Sequence, residues 1–191
     1  GGRQSILAKF IKNINSIIAI KLKQQNKKVK KGEKHIIPSG LFKNISNILK
    51  KFDDKTPDLE QISKDLDIVV ENLRSFKGPI DNASLELLNM VRDQVSSRYL
   101  NQLRELRDIL HDGVYNKELF ELDKPKFEAL MKVLGIENVK LIFDPKSPLV
   151  GLININSKEG QQMLRDQGWE ENRSEEAKKR GAEIYRCGVY Q

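Results

Sequence analysis

Apolar residues recur every three or four positions through the first two thirds of the chain, interrupted by short polar breaks. Placed at 100° per residue, Ile6, Leu7, Phe10, Ile11, Ile14, Ile17 and Ile18 share an arc of about 140°, which predicts an amphipathic helix over 4–24. Lys9, Lys12 and Lys23 lie opposite, with Ser5 and Ser16. Lys21 falls inside the apolar arc, where its aliphatic stem can snorkel toward water. Residues 23–34 follow with Lys23, Lys27, Lys28, Lys30, Lys31 and Lys34, a stretch too charged to pack, and Pro38 and Gly40 close the arm.

Ser39 is placed to cap a second helix over 40–52, carrying Leu41, Phe42, Ile45, Ile48, Leu49 and Phe52 at helical spacing. Thr56 followed by Pro57 predicts the start of a third, with Leu59, Ile62, Leu66, Val69, Val70, Leu73 and Phe76 as its stripe and Gly78-Pro79 as its stop. Asp81 or Asn82 caps a long fourth helix, 83–111, whose stripe reads Leu87, Met90, Val91, Val95, Leu100, Leu103, Leu106 and Leu110, with Gly113 as its stop. The short connection makes the third and fourth helices an antiparallel hairpin.

Beyond Gly113 the texture changes. A short helix fits 124–134, ending at Gly135. Val139–Phe143 and Leu149–Ile155, separated by Asp144-Pro-Lys-Ser-Pro148, read as a hairpin. Short helices fit 157–167 and 174–180, and Ile184–Tyr190 reads as a last strand. The expected fold is α+β and mainly helical: a basic amphipathic arm over 1–38, a helical hairpin or bundle over 39–113, and a small mixed α/β region over 114–191.

Charge sharpens this division. Residues 1–55 hold 14 Lys or Arg against three acids, a net of +11, whereas residues 56–191 hold 20 against 24, a net of −4. Basicity confined to one segment points to an electrostatic arm with a polyanionic partner. No apolar run reaches the roughly 20 residues that span a bilayer, and no signal peptide is evident. A single cysteine, Cys187, rules out an internal disulfide and fits a reducing, cytoplasmic compartment.

The chain opens Gly1-Gly2-Arg3-Gln4-Ser5. If an initiator Met precedes Gly1, this fits the N-myristoylation pattern, with Gly1 as the acylated residue. One acyl chain binds membranes only marginally and needs a polybasic companion, which the lysines supply. The opening resembles that of myristoylated retroviral matrix proteins, which pair a Gly-x-Arg-x-Ser start with basic residues and a helical body. The resemblance covers the first few residues and implies attachment to a membrane by the same mechanism. A Gly start and a Gln191 end also look like the products of viral proteases that cut between Gln and Gly, in which case the acylation reading fails. Gly-Gly as a cloning remnant is the plainer alternative.

Nucleic acid is the rival polyanion, since lysine runs bind phosphates by counterion release. The arm has no interleaved aromatic residue to stack bases, and one arginine, Arg3, precedes Arg74. Enzyme chemistry has little support: no Gly-rich phosphate loop, no CxxC and no HExxH are present, and two histidines with one cysteine do not make a usual zinc site. A cysteine-dependent enzyme using Cys187 with His111 is the remaining catalytic alternative, against a small buried cysteine and a histidine at a helix end. Trp169 reads as a packing anchor.

The expectation is a non-enzymatic, membrane-peripheral or structural and assembly protein with no cofactor and no metal. Its anionic-surface contacts are Lys9, Lys12, Lys21, Lys23, Lys27, Lys28, Lys30, Lys31 and Lys34. Its partners are an anionic membrane surface or nucleic acid, together with other protein subunits.

Overall fold

The computed structural model describes residues 5–25 and 33–136. Among them are five α-helices and no strand: α1 Ile6–Gln25, α2 Ser39–Lys50 with a 3-10 turn Lys51–Asp53, α3 Leu59–Arg74, α4 Asn82–Tyr115 and α5 Lys117–Leu134. The described residues are thus mainly helical. The mixed region expected over 114–191 begins with the last two residues of α4 and then α5, and its hairpin, later short helices and last strand lie outside the described residues.

The described residues divide into two compact units, Ile6–Tyr99 and a second to which Ser5 and the residues from Leu100 to Ile136 belong. In the first unit one core draws on all four helices: Leu7, Phe10, Ile14, Ile17 and Ile18 from α1; Phe42, Ile45, Ile48 and Leu49 from α2; Ile62, Leu66, Val69, Val70 and Leu73 from α3; Leu85, Leu88, Val91 and Val95 from α4. The apolar arc of the first helix is therefore its buried face, and α1 is a member of the bundle. Of the arm expected over 1–38, residues 1–4 and 26–32 lie outside the described residues, and α1 packs with the other helices. The reason is energetic: burying a Phe or Ile side chain is worth about 1.5–3 kcal/mol, and α1 carries five wholly apolar ones that leave water only by packing.

Pairings along the helices set their directions. Lys9 meets Asp67, Arg74 meets Asn13 and Lys21 reaches residues 76–78, so α1 and α3 run the same way. Ile37 bonds Ser84 and Asp53 bonds Arg98, so α2 and α4 run together in the opposite sense. The ends of α1 and α3 and the beginnings of α2 and α4 consequently share one end of this unit.

The helix boundaries follow side-chain chemistry more closely than the expected breakers. Asp58, not Thr56, caps α3, accepting from the Gln61 N–H at 3.1 Å. Pro57 stands one residue before the cap and two before the helix, where its fixed φ leads into the cap. Ser39 opens α2 without a side-chain cap. Asp81 caps α4 by accepting from the Ser84 N–H at 3.0 Å. Gly113 does not stop α4, which runs on two residues to Tyr115 at a glycine cost of about 1 kcal/mol. The break falls at Asn116, whose side chain accepts from the Leu119 N–H at 3.1 Å and so starts α5 earlier than the expected 124. Gly135 ends α5 at φ 71°, a left-handed cap that suits glycine. Within the second unit α4 and α5 are tied by Lys126–Glu105 and by burial of Leu106, Leu110, Phe120 and Phe127.

Candidate anionic-surface contact

The shared end of the first unit is built around the turn between α3 and α4. After Ser75 the helix gives way, and Gly78 turns the chain at φ 83°, a region open to glycine. Carbonyls here have no helical N–H to meet them. Lys21, only 5% exposed, supplies the donors: its ammonium bonds Phe76 O and Gly78 O, the latter at 2.6 Å. A cation at a helix C-terminus also complements the dipole. Burial, and then repulsion from Lys77, lowers the Lys21 pKa from its usual 10.5. Lys21 is therefore a latch between α1 and the α3–α4 turn. It does not snorkel to water, and it is not free to meet an external anion.

The segment after residue 32 joins the same turn. His35 N–H donates to Pro79 O and Asp81 N–H donates to His35 O, both at 2.9 Å, as a parallel bridge between His35 and Ile80. The His35 ring meets Phe76 edge-on at 6.2 Å. Ile37 N–H donates to Ser84 Oγ at 2.9 Å, and Gln25 donates to Asn82 at 3.0 Å. The residues on either side of 26–32 are thus both held at this end.

The other expected contact residues separate into three groups. Lys12 and Lys23 are exposed on the outer face of α1, where Asn15, Ser16 and Ala19 are also exposed. Lys9 lies on that face but pairs with Asp67 at 3.5 Å. Lys34 is exposed near Asp81, whose carboxyl is held below its usual 3.8 chiefly by the Ser84 side chain and backbone N–H, with Lys34 assisting. Gly1, Lys27, Lys28, Lys30 and Lys31 lie outside the described residues. So do Trp169 and Cys187, and with Cys187 any pairing to His111.

Sequence reasoning missed two participants. Lys77 is exposed beside the latch, and Ile36 is exposed beside the bridge. Neither belongs to a periodic stripe or a charge run, so local pattern carries no mark of them. No group of His, Cys, Asp and Glu among the described residues is arranged to hold a metal ion. No helix among them is long and apolar enough to cross a membrane.

No family model matches the chain, and comparison with curated proteins and with solved structures returns no match. The likeness to retroviral matrix proteins therefore rests on the opening residues alone.

Proposed function

We propose that the protein is a non-enzymatic attachment and assembly protein that docks on anionic membrane surfaces through its basic N-terminal third. The observation that carries this reading is the outward face of α1. That helix contains no acid, and once its apolar face is committed to the core and Lys21 to the 76–78 turn, the face left to solvent carries Lys12, Lys23 and Lys9, the last of these paired with Asp67 of α3. A helix that needs its charge only for solubility mixes signs, as α3 does with Glu60, Lys64, Asp65, Asp67, Glu71 and Arg74.

Attachment in this reading is electrostatic. Lysines near an anionic leaflet contribute about 1 kcal/mol each, so three or four give useful but reversible binding. Acylation at Gly1, and binding of Lys27, Lys28, Lys30 and Lys31 to the same surface, are part of the proposal. The remaining helical surface is left for contacts with protein partners.

Flotation with neutral and with phosphatidylserine-containing vesicles tests it. The expected result is binding to the anionic vesicles alone. Equal binding to both, or to neither, overturns it, and a salt-sensitive shift of RNA with no flotation replaces the membrane by nucleic acid.

A further inference from the structure

Three aliphatic side chains stand in solvent at the end of the first unit where α1 and α3 finish: Ile36 at 72% exposure, Leu22 at 49% and Ile20 at 48%. Their placement at one end follows from the contacts of their neighbours. Lys21, between Ile20 and Leu22, bonds the 76–78 turn; Gln25 bonds Asn82; His35, beside Ile36, bridges Ile80. Ile37 points inward to the core, so Ile36, on the opposite side of an extended segment, points away from it.

Exposed lysines share this end of the bundle: Lys23 on α1, Lys34 before the bridge and Lys77 on the turn. The acids here are Glu33 and Asp81, two against the three exposed lysines and the buried ammonium of Lys21. Positive charge therefore prevails beside exposed aliphatic groups.

Resting on the membrane reading above, we propose that this end of the bundle is the face that meets the bilayer, with Ile36 and Leu22 entering the headgroup boundary between Lys23, Lys34 and Lys77. Branched aliphatic groups gain by leaving water for the acyl boundary, while lysine stems reach along them to the phosphates. Phosphates of a nucleic acid satisfy the lysines equally but offer the aliphatic groups nothing, which is why the occupant is a lipid surface. Lys21 serves as a positioning residue that ties α1 to the 76–78 turn, while the His35–Ile80 bridge holds the third segment to the same turn.

The test uses the full chain with Cys187→Ser and an environment-sensitive fluorophore attached at Ile36→Cys, compared with the same label at Ile68→Cys, an exposed position in the middle of α3. With phosphatidylserine vesicles the Ile36 label shifts to the blue and the Ile68 label does not. In parallel, K23Q/K77Q lowers vesicle partitioning about 25-fold, roughly fivefold per charge. K50Q/K55Q, which removes two charges at the opposite end, lowers it only a few-fold. Far-UV circular dichroism confirms that each variant is folded. Vesicle binding with an unshifted Ile36 label, or equal losses in the two lysine pairs, overturns this orientation while leaving membrane attachment standing. No vesicle binding by the unmodified protein overturns both.

Discussion

Lys21 occupies a position on α1 that the 3.6-residue period assigns to the core, and its ammonium ends on two backbone carbonyls. Replacing it with Met keeps the stem but leaves Phe76 O and Gly78 O without their donor. Stranding buried polar groups costs about 1–3 kcal/mol, so Lys21→Met is expected to lower the urea midpoint by a corresponding amount. The charge also leaves a mark in pH. Because the folded-state pKa of Lys21 is lowered, the unfolded chain binds more protons between that value and 10.5, and this group's contribution to stability rises with pH across the window. Tyr99 acts the other way: burial raises its pKa above 10.0, so above pH 10 the unfolded chain loses that proton first and stability falls. Urea titrations across pH 8–11 should therefore show the rise reduced in Lys21→Met and the fall reduced in Tyr99→Phe. At the acid end, Asp53 is lowered by its hydrogen bond to Arg98 and Asp81 by Ser84. Their contributions are present above pH 3.8 and are lost as pH falls through the lowered values.

Ser84 is the second residue on which the shared end depends. Its buried hydroxyl accepts from Ile37 N–H. Ser84→Ala leaves that N–H unmet and is expected to cost about 1–3 kcal/mol, with amide exchange at Ile37 accelerating more than at core positions of α3. Neither Lys21 nor Ser84 is legible as a partner in sequence, because their acceptors and donors lie 47–57 residues away.

Among the elements, α1 is the most legible and the most misleading. Its period places both ends to within two residues, yet an amphipathic helix looks the same whether its apolar face meets a core or a bilayer. The two cases differ in what substitution does. Phe10→Ala removes a ring that is 2% exposed and is expected to cost about 3–5 kcal/mol in urea unfolding, whereas Lys12→Gln on the outer face should stay within about 0.5 kcal/mol. For a detached arm neither change would register. Helix starts are harder to read, since several residues near each break can cap. Asp58→Ala is expected to cost about 1 kcal/mol and Thr56→Ala almost nothing, which urea midpoints of the two variants will separate. The stripe expected on α4 includes Met90 and Leu100, both exposed, and omits Leu85 and Leu88, both buried. On a long helix the buried face is chosen by which neighbours are present along it, and that choice lies outside the local period.

Across the whole molecule, positive charge is concentrated in residues 1–55, and the proposed attachment rests on it. If attachment is electrostatic, raising salt from about 0.05 M to about 0.5 M shortens the Debye length severalfold and should release the protein from anionic vesicles. Retention at high salt would point to acylation or aliphatic insertion as the main source of affinity. That comparison is best made with and without the Gly1→Ala substitution, which blocks acylation and leaves the lysines in place.

Sequence alone determined that the described chain is helical, roughly where each helix lies, and that its positive charge is gathered at the N-terminal third. Each of these depends on residues close in the chain, where periodicity and charge counts are sufficient. Only the tertiary structure decided that the apolar face of α1 is used up inside the bundle and that Lys21 is a latch. It alone placed Lys77 and Ile36 beside Lys23 and Lys34. Those assignments depend on which distant segment fills a given face, and a face that is apolar or cationic does not carry the identity of what will cover it.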